Sequence, residues 1–371
     1  MKADVQKKRI DSIDFWRGVV LAVILVNHIP GNVLGAFTPR NFNFSDAAEV
    51  FVFLSGVSVQ LAYGEKFRRS PGVAAAASLV RRAARLYGAH LMLTAAALAL
   101  FWVAKDYTPY DLLLSERGRA TPFLDPARGV VGILALSHQV AYFNILPLYI
   151  VLMAAAPLLL ALTLRGRFAM LAASVALYAG ARMAGVNLPS WPEPGGWYFN
   201  PFTWQLMFAL GIFCGGALQD KGVPYHPVAY HFSVAFTFIG AMVVSNVLGL
   251  APGLVEEAGL YLDWDKTDLG VVRIIDFLTL AYVIHFSNLT ARIRATRAFS
   301  FFSLMGRNAL PIFCVGSLMS AVGQMLRDSS LASPVLDVLY VGASLALLHR
   351  LAGHIDRDRP VLLLPYSQPA E

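Results

Sequence analysis

Asp14-Phe15-Trp16-Arg17-Gly18-Val19-Val20-Leu21-Ala22-Val23-Ile24-Leu25-Val26-Asn27-His28-Ile29-Pro30-Gly31-Asn32 sets a long apolar run between a charged start and a polar end that carries a histidine. A helix that crosses a bilayer needs roughly 20 mostly apolar residues, and this run is the first of a series. Comparable stretches lie near 14–36, 46–64, 78–104, 138–163, 168–186, 201–219, 229–250, 269–289, 298–326 and 334–353. Of the 371 residues, 57% are hydrophobic and 14% charged, which lies outside the range of soluble globular proteins. The expectation is an all-α integral membrane protein, a bundle of about ten transmembrane helices forming one domain over 1–371.

The first run makes a poor signal peptide, because Asp14 and Arg17 open it, Asn27 and His28 lie within it, and no small-residue cleavage site follows. It is expected to be retained as a helix. Cys214 and Cys314 both fall in apolar segments, where a free cysteine behaves as a small hydrophobe, so a zinc site built on thiolates is excluded. The net charge of +7 suggests nucleic acid only until the basic residues are placed. One alternating set of loops (the start through Arg17, 65–85, 164–167, 219–227, 290–307 and 349 onward) holds 21 of the 30 Lys and Arg. The positive-inside rule then puts both termini in the cytoplasm, with 37–45, 105–137, 187–200 and 251–268 facing outward. Trp191, Trp197, Tyr198, Tyr261 and Trp264 in those outer loops suit an interfacial aromatic belt.

Ionisable side chains inside a membrane are costly unless they face protein or water, so they mark function by default. His28 lies fourteen residues after Asp14, roughly 21 Å along a helix, beyond the midplane toward the outer face. Its imidazole suits a general base or an acyl-carrying nucleophile; the plainer alternative is a histidine bonded to a neighbouring helix. Ser45-Asp46-Ala47-Ala48-Glu49 opens the second helix. Capping accounts for Ser45 and Asp46, whereas Glu49 stands near the depth of His28 and is expected to orient the imidazole. On the inner side, Arg82 and Arg85 lie one turn apart and can project together into a cleft, where guanidinium forks suit phosphate. Gly306-Arg307-Asn308 comes within reach of them, and Lys66, Arg68 and Arg69 read as ordinary loop charges. At the outer rim, Ser137-His138-Gln139 with Asn144, Asn200-Pro201-Phe202-Thr203-Trp204-Gln205, and Asp263-Trp264-Asp265-Lys266-Thr267-Asp268 with Arg273 and Asp276 open three helices. Singly these are caps or interface anchors; together they form a polar rim of the kind that binds a glycan.

Asp14-Phe15-Trp16-Arg17-Gly18 followed by His28, Phe51-Val52-Phe53-Leu54-Ser55-Gly56 and Arg82-x-x-Arg85 resemble the type 3 membrane acyltransferases. More narrowly, His28-Ile29-Pro30-Gly31-Asn32, Arg40-Asn41-Phe42, Ser45 through Gly56, Ile145-Leu146-Pro147-Leu148-Tyr149, Asn200-Pro201-Phe202 with Trp204-Gln205, Lys266-Thr267-Asp268-Leu269-Gly270 and Gly306-Arg307-Asn308 resemble the OpgC-type branch. That branch is associated with succinylation of osmoregulated periplasmic glucans. The resemblance covers nearly the whole chain. It implies a ten-helix bundle in a bacterial inner membrane, succinyl-coenzyme A as cytoplasmic donor, a periplasmic glucan hydroxyl as acceptor, and association with the glucan synthesis machinery. No permanently bound cofactor, metal or nucleic acid is implied.

The family's histidine maps onto His28 and its Arg-x-x-Arg pair onto Arg82 and Arg85. With these go Glu49 and Asp46 as catalytic companions and Arg17 and Arg307 at the donor. Arg40, Asn41, Asn144, Trp204, Gln205, Lys266, Asp268 and Arg273 stand toward acceptor or acyl group. Arg40 or Arg273 is the cation expected at a distal succinyl carboxylate. A transporter or flippase remains the competing class, since polar residues at midplane depth also mark transport sites. A relative of the same fold that uses another donor, such as acetyl-coenzyme A, is a further alternative.

Overall fold

A computed structural model describes residues 11–70, 72–105, 118–140, 142–220, 222–247, 249, 262–329 and 332–357. Among them regular structure is helical, with one isolated bridge between Pro189 and Gly196. The main helices are α1 (Asp11–Asn27), α2 (Ala47–Val59), α3 (Val73–Ala104), α4 (Ile145–Thr163), α5 (Arg167–Met183) and α6 (Pro201–Asp220). They continue with α7 (Pro227–Ser245), α8 (Val271–Phe286), α9 (Arg297–Arg307), α10 (Ala309–Arg327) and α11 (Pro334–Arg357). Seven are long and apolar enough to cross a bilayer, α2 being counted through to Arg69, and they mark a multi-pass membrane protein. Three of the segments expected to span, α1, α5 and α8, are 17, 17 and 16 residues long. Tyr261 and most of the expected cytoplasmic tails lie outside the described residues.

The first helix ends earlier than the pattern suggests, and the cause is local. Proline has no N–H and disfavours helix at the residue before it, so Pro30 ends α1 ahead of Ile29. The carbonyl of Val26, which a continuing helix would bond to residue 30, instead accepts Asn32 Nδ2 at 2.9 Å. Gly31 turns the chain at φ 77°, into short 3-10 turns at Val33–Phe37 and Pro39–Asn41. His28 therefore sits in the first turn past α1 rather than within a helix running to 36.

Two further boundaries move. The third helix starts at Val73, so Arg82 and Arg85 occupy its third and fourth turns rather than its start, and the fourth starts at Ile145 rather than 138. The expected helix 298–326 is broken at Asn308, because Pro311 has no N–H for the Arg307 carbonyl. Asn308 Nδ2 takes up the carbonyls of Leu304 and Ala352 at the break.

Glycines let the central helices approach closely, as small residues do at membrane helix interfaces. A Cβ on Gly18 would strike the Phe302 carbonyl, and one on Gly306 the Asp14 carbonyl, so α1 and α9 touch backbone to backbone. Gly56 and Gly211 do the same for α2 and α6. These pairs, with α3 on α4 and α5 on α6, enclose one contiguous apolar core. Helix α7 packs mainly on α8 and buries only Ser233 and Gly240 of its own residues. Of the expected aromatic belt, Trp191 and Tyr198 are exposed, Trp264 stacks on Phe44 with centroids 5.2 Å apart, and Trp197 is buried, which removes it from that role.

Candidate functional site

His28 is held by its backbone. Gln324 Nε2, from α10, donates to the His28 carbonyl at 2.5 Å, Arg119 donates to Gln324 Oε1, and Ser320 Oγ donates to the carbonyl of Leu25 one turn earlier. The imidazole itself packs against Tyr142, ring centroids 5.0 Å apart. Its Nδ1 is shut off from solvent and has no hydrogen-bond partner among the described residues. Buried polar atoms are nearly always bonded, so an orphaned ring nitrogen asks for a functional account. Lys266, Asp46 and Arg40 lie close enough for their charges to act on the ring.

The carboxylates beside it belong to the start of α2. Asp46 caps the helix, accepting from Ala48 N at 2.8 Å, and Glu49 reaches back to accept from Asp46 N at 2.9 Å, a complete capping box. Asp46 also pairs with Lys266 and stands 3.7 Å from Arg273. Glu49, fully buried, receives Arg273 Nε at 2.6 Å. Its two oxygens are thus committed, and among the described residues no hydrogen bond joins it to His28. The expectation that Glu49 orients the imidazole is corrected: the capping box and Arg273 hold it toward α2 and α8, and Asp46 is the carboxylate whose charge reaches the ring. Next to them Ser45 donates through its backbone N–H and hydroxyl to Asp276, whose other carboxylate oxygen is buried without a partner.

Lys266 is placed by residues expected to face a sugar. Trp204, fully buried, donates from Nε1 to the carbonyls of Lys266 and Thr267. Asn200 donates to Asp268 Oδ1 at 2.7 Å and accepts the Phe202 N–H as a helix cap, while Asp268 N bonds Asp265. Gln205 donates to the Ser174 carbonyl, and Asn41 to the Gly35 carbonyl. Trp204, Gln205, Asn41 and Asp268, expected as acceptor contacts, each spend at least one polar group on the protein itself, and fully buried Trp204 must do so. Asn144 stands half-buried at the start of α4, two residues after Tyr142, with no capping bond of its own. Exposed Arg40 forms no ion pair among the described residues.

The second part of the site is a cleft of about 590 Å³, into which Arg17 of α1, Arg81, Arg82 and Arg85 of α3, and Arg307 at the end of α9 all point. Arg17 bonds Ser58 Oγ at 2.5 Å and stands 3.5 Å from Asp14; Arg307 stands 3.4 Å from Asp356; Arg82 engages the hydroxyls of Tyr63 and Tyr149. Arg81, Tyr63 and Tyr149 share this lining with Arg17, Arg82, Arg85 and Arg307, the four residues that the sequence assigns to the donor. Gln324, Arg119 and Tyr142 have no such assignment. Gln324 and Arg119 come from parts of the chain far from His28, and no spacing relates them to it. Phe51, Leu146 and Phe313 contribute apolar lining to the cleft. In the chain Phe51 lies two residues beyond Glu49, and Leu146 four beyond Tyr142.

A family model described as OpgC protein matches residues 9–359. The chain belongs to the OpgC family. No curated protein and no solved structure matches it. Membership of the OpgC family points to a role in modifying osmoregulated periplasmic glucans and implies acyl or succinyl transfer in general. Residues 9–359 take in both His28 and the arginine cleft.

Proposed function

We propose that this OpgC family member is a ten-span enzyme of the bacterial inner membrane, with cytoplasmic termini, that moves a succinyl group from cytoplasmic succinyl-coenzyme A to hydroxyls of periplasmic glucan. The observation that carries the reading is the presence of two features in one helical core, a cleft lined by arginines and a histidine whose Nδ1 is buried. Arginines from three helices line the cleft, and elsewhere His28 has a ring nitrogen unpartnered among the described residues, with charged groups nearby.

Arg17, Arg82, Arg85 and Arg307 bind the donor's phosphates, which suit guanidinium forks. His28 takes the proton of a sugar hydroxyl; the oxygen attacks the thioester carbonyl, and coenzyme A leaves as the thiolate, to be protonated in turn. An acyl-histidine formed first and then transferred has the same overall balance. Asp46 and Lys266 set the field at the ring. Of the two cations considered for a distal succinyl carboxylate, Arg273 is already neutralised by Glu49 and Asp46, which leaves Arg40. Acceptor sugars approach on the side of Arg40 and Asn144, and contact with the glucan synthesis machinery belongs to the same face.

The test is transfer from radiolabelled succinyl-coenzyme A by purified wild type, His28→Ala and Arg82→Ala, with and without glucan. Glucan-dependent labelling is expected to fall about 10²–10⁴-fold in His28→Ala with donor binding kept, as for loss of a general base. Arg82→Ala is expected to raise KM for the donor. No labelling by wild type with succinyl, acetyl or other acyl donors would favour transport, and an active His28→Ala would remove the mechanism.

A further inference from the structure

A second cavity, of about 660 Å³, shares no lining residue with the arginine cleft. It is a groove between α1, α2 and α8, walled by Trp16, Val20, Val50, Leu54, Leu280 and Ala281. Along α1 its lining runs from Ser12 to Val23, about 16 Å of helix. That is close to half of a hydrocarbon core roughly 30 Å thick, the depth one lipid tail occupies.

The two ends differ. At one, Trp16 Nε1 donates to Thr290 Oγ1 at 3.1 Å, tying α1 to the short helix Leu289–Arg294, and Arg294 closes the lining. Arg292 and Arg297 lie within three residues of Arg294, outside the lining itself; all three arginines are exposed, and none forms an ion pair among the described residues. The opposite end presents Ser45 and the carboxylate of Asp46. Lys266 and Arg273 neutralise Asp46, so the exposed arginines alone orient an amphiphile in the groove, with an anionic head at their end and the tail running toward Asp46. Basic clusters at the mouth of an interhelical groove are how membrane proteins hold anionic headgroups.

We propose that the groove is a binding site for an anionic phospholipid, one tail lying between α1, α2 and α8 and the phosphate meeting Arg292, Arg294 and Arg297. The tail ends against the first turn of α2, which also carries the capping box of Asp46 and Glu49, so occupancy braces the turn that positions the charges near His28. The proposal stands independently of the acyl-transfer reading, and so does its test.

The full-length protein, delipidated in detergent, is titrated with phosphatidylglycerol, phosphatidylcholine or glycerol 3-phosphate while its melting temperature is followed. A ligand that binds only the folded state must raise it. Phosphatidylglycerol is expected to give a saturable rise, and the other two little or none. Replacing the three arginines together (Arg292→Gln, Arg294→Gln, Arg297→Gln) is expected to weaken the apparent affinity about 100-fold. These residues are exposed, so the variant folds. Ala281→Phe, which narrows the groove, is expected to lower the affinity with the arginines in place; if it fails to fold, the headgroup comparison still decides. Equal shifts from phosphatidylcholine, or a triple variant that matches wild type, would overturn the site in favour of unspecific annular lipid. A full shift from glycerol 3-phosphate would overturn the tail's seat in the groove.

Discussion

At the scale of single residues the site turns on which charges are already neutralised. Glu49 has no exposure and faces Arg273, itself nearly buried. Removing one partner of a buried pair leaves an unpaired charge in apolar surroundings. Glu49→Ala is therefore expected to destabilise the protein by about 3–5 kcal/mol, seen as a lower melting temperature in detergent, with Glu49→Gln milder because it still accepts from Asp46 N–H. An unchanged melting temperature in Glu49→Ala would mean that Arg273 finds another acceptor. Arg40 is the contrasting case, a cation near His28 with no acidic partner among the described residues. Arg40→Gln is expected to reduce kcat/KM for succinyl-coenzyme A about tenfold to a hundredfold, the worth of a charge-assisted hydrogen bond, while leaving butyryl-coenzyme A unaffected. Equal losses on both donors would assign Arg40 to the fold rather than to the carboxylate.

Between elements the decisive contacts are those of backbone with backbone. Gly18 and Gly306 let α1 and α9 close until a Cβ at either position would meet a carbonyl oxygen of the other helix. Helix α1 leads directly into His28 and carries Arg17, and α9 ends at Arg307, so this contact sets the relation between histidine and cleft. Gly306→Val is expected to cost about 1–3 kcal/mol by overpacking and to impair donor binding together with stability. Gly353→Val on α11, where only the Leu304 side chain comes within 4 Å of an added Cβ, serves as the control that stays near wild type. The break at Asn308 works alongside this contact: it ends α9 at Arg307, in the cleft lining, before α10 carries Gln324 up to the His28 carbonyl.

For the whole molecule, orientation in the membrane follows from the uneven spread of 21 and nine basic residues over alternating loops. Single cysteines at Ser70 and Ser190, in a background with Cys214 and Cys314 replaced, are expected to be labelled by an impermeant reagent only from the cytoplasmic and periplasmic sides respectively. The reverse pattern would place the arginine cleft away from the cytosolic donor and undo the proposed direction of transfer. Labelling of both from one side would show that the helices between them cross an even number of times.

Composition and apolar run length settled the class of this protein alone, because in a bilayer only paired backbone survives and helices of roughly 20 residues are the simplest way to pair it. Ionisable residues within apolar runs also singled out His28, Arg82 and Arg85, since each is costly where lipid is the alternative. Pairing was decided elsewhere. Whether Glu49 serves His28 or Arg273 depends on how α2 and α8 meet, and 224 residues separate the two ends of that ion pair. Trp204, Asn200 and Asp268 looked like a sugar-binding rim in the chain, yet become the clamp on Lys266 once α6 and the 262–270 loop are packed together. The motifs marked which polar groups must be accommodated; only the packed helices decided which of them neutralise one another and which are left for a substrate.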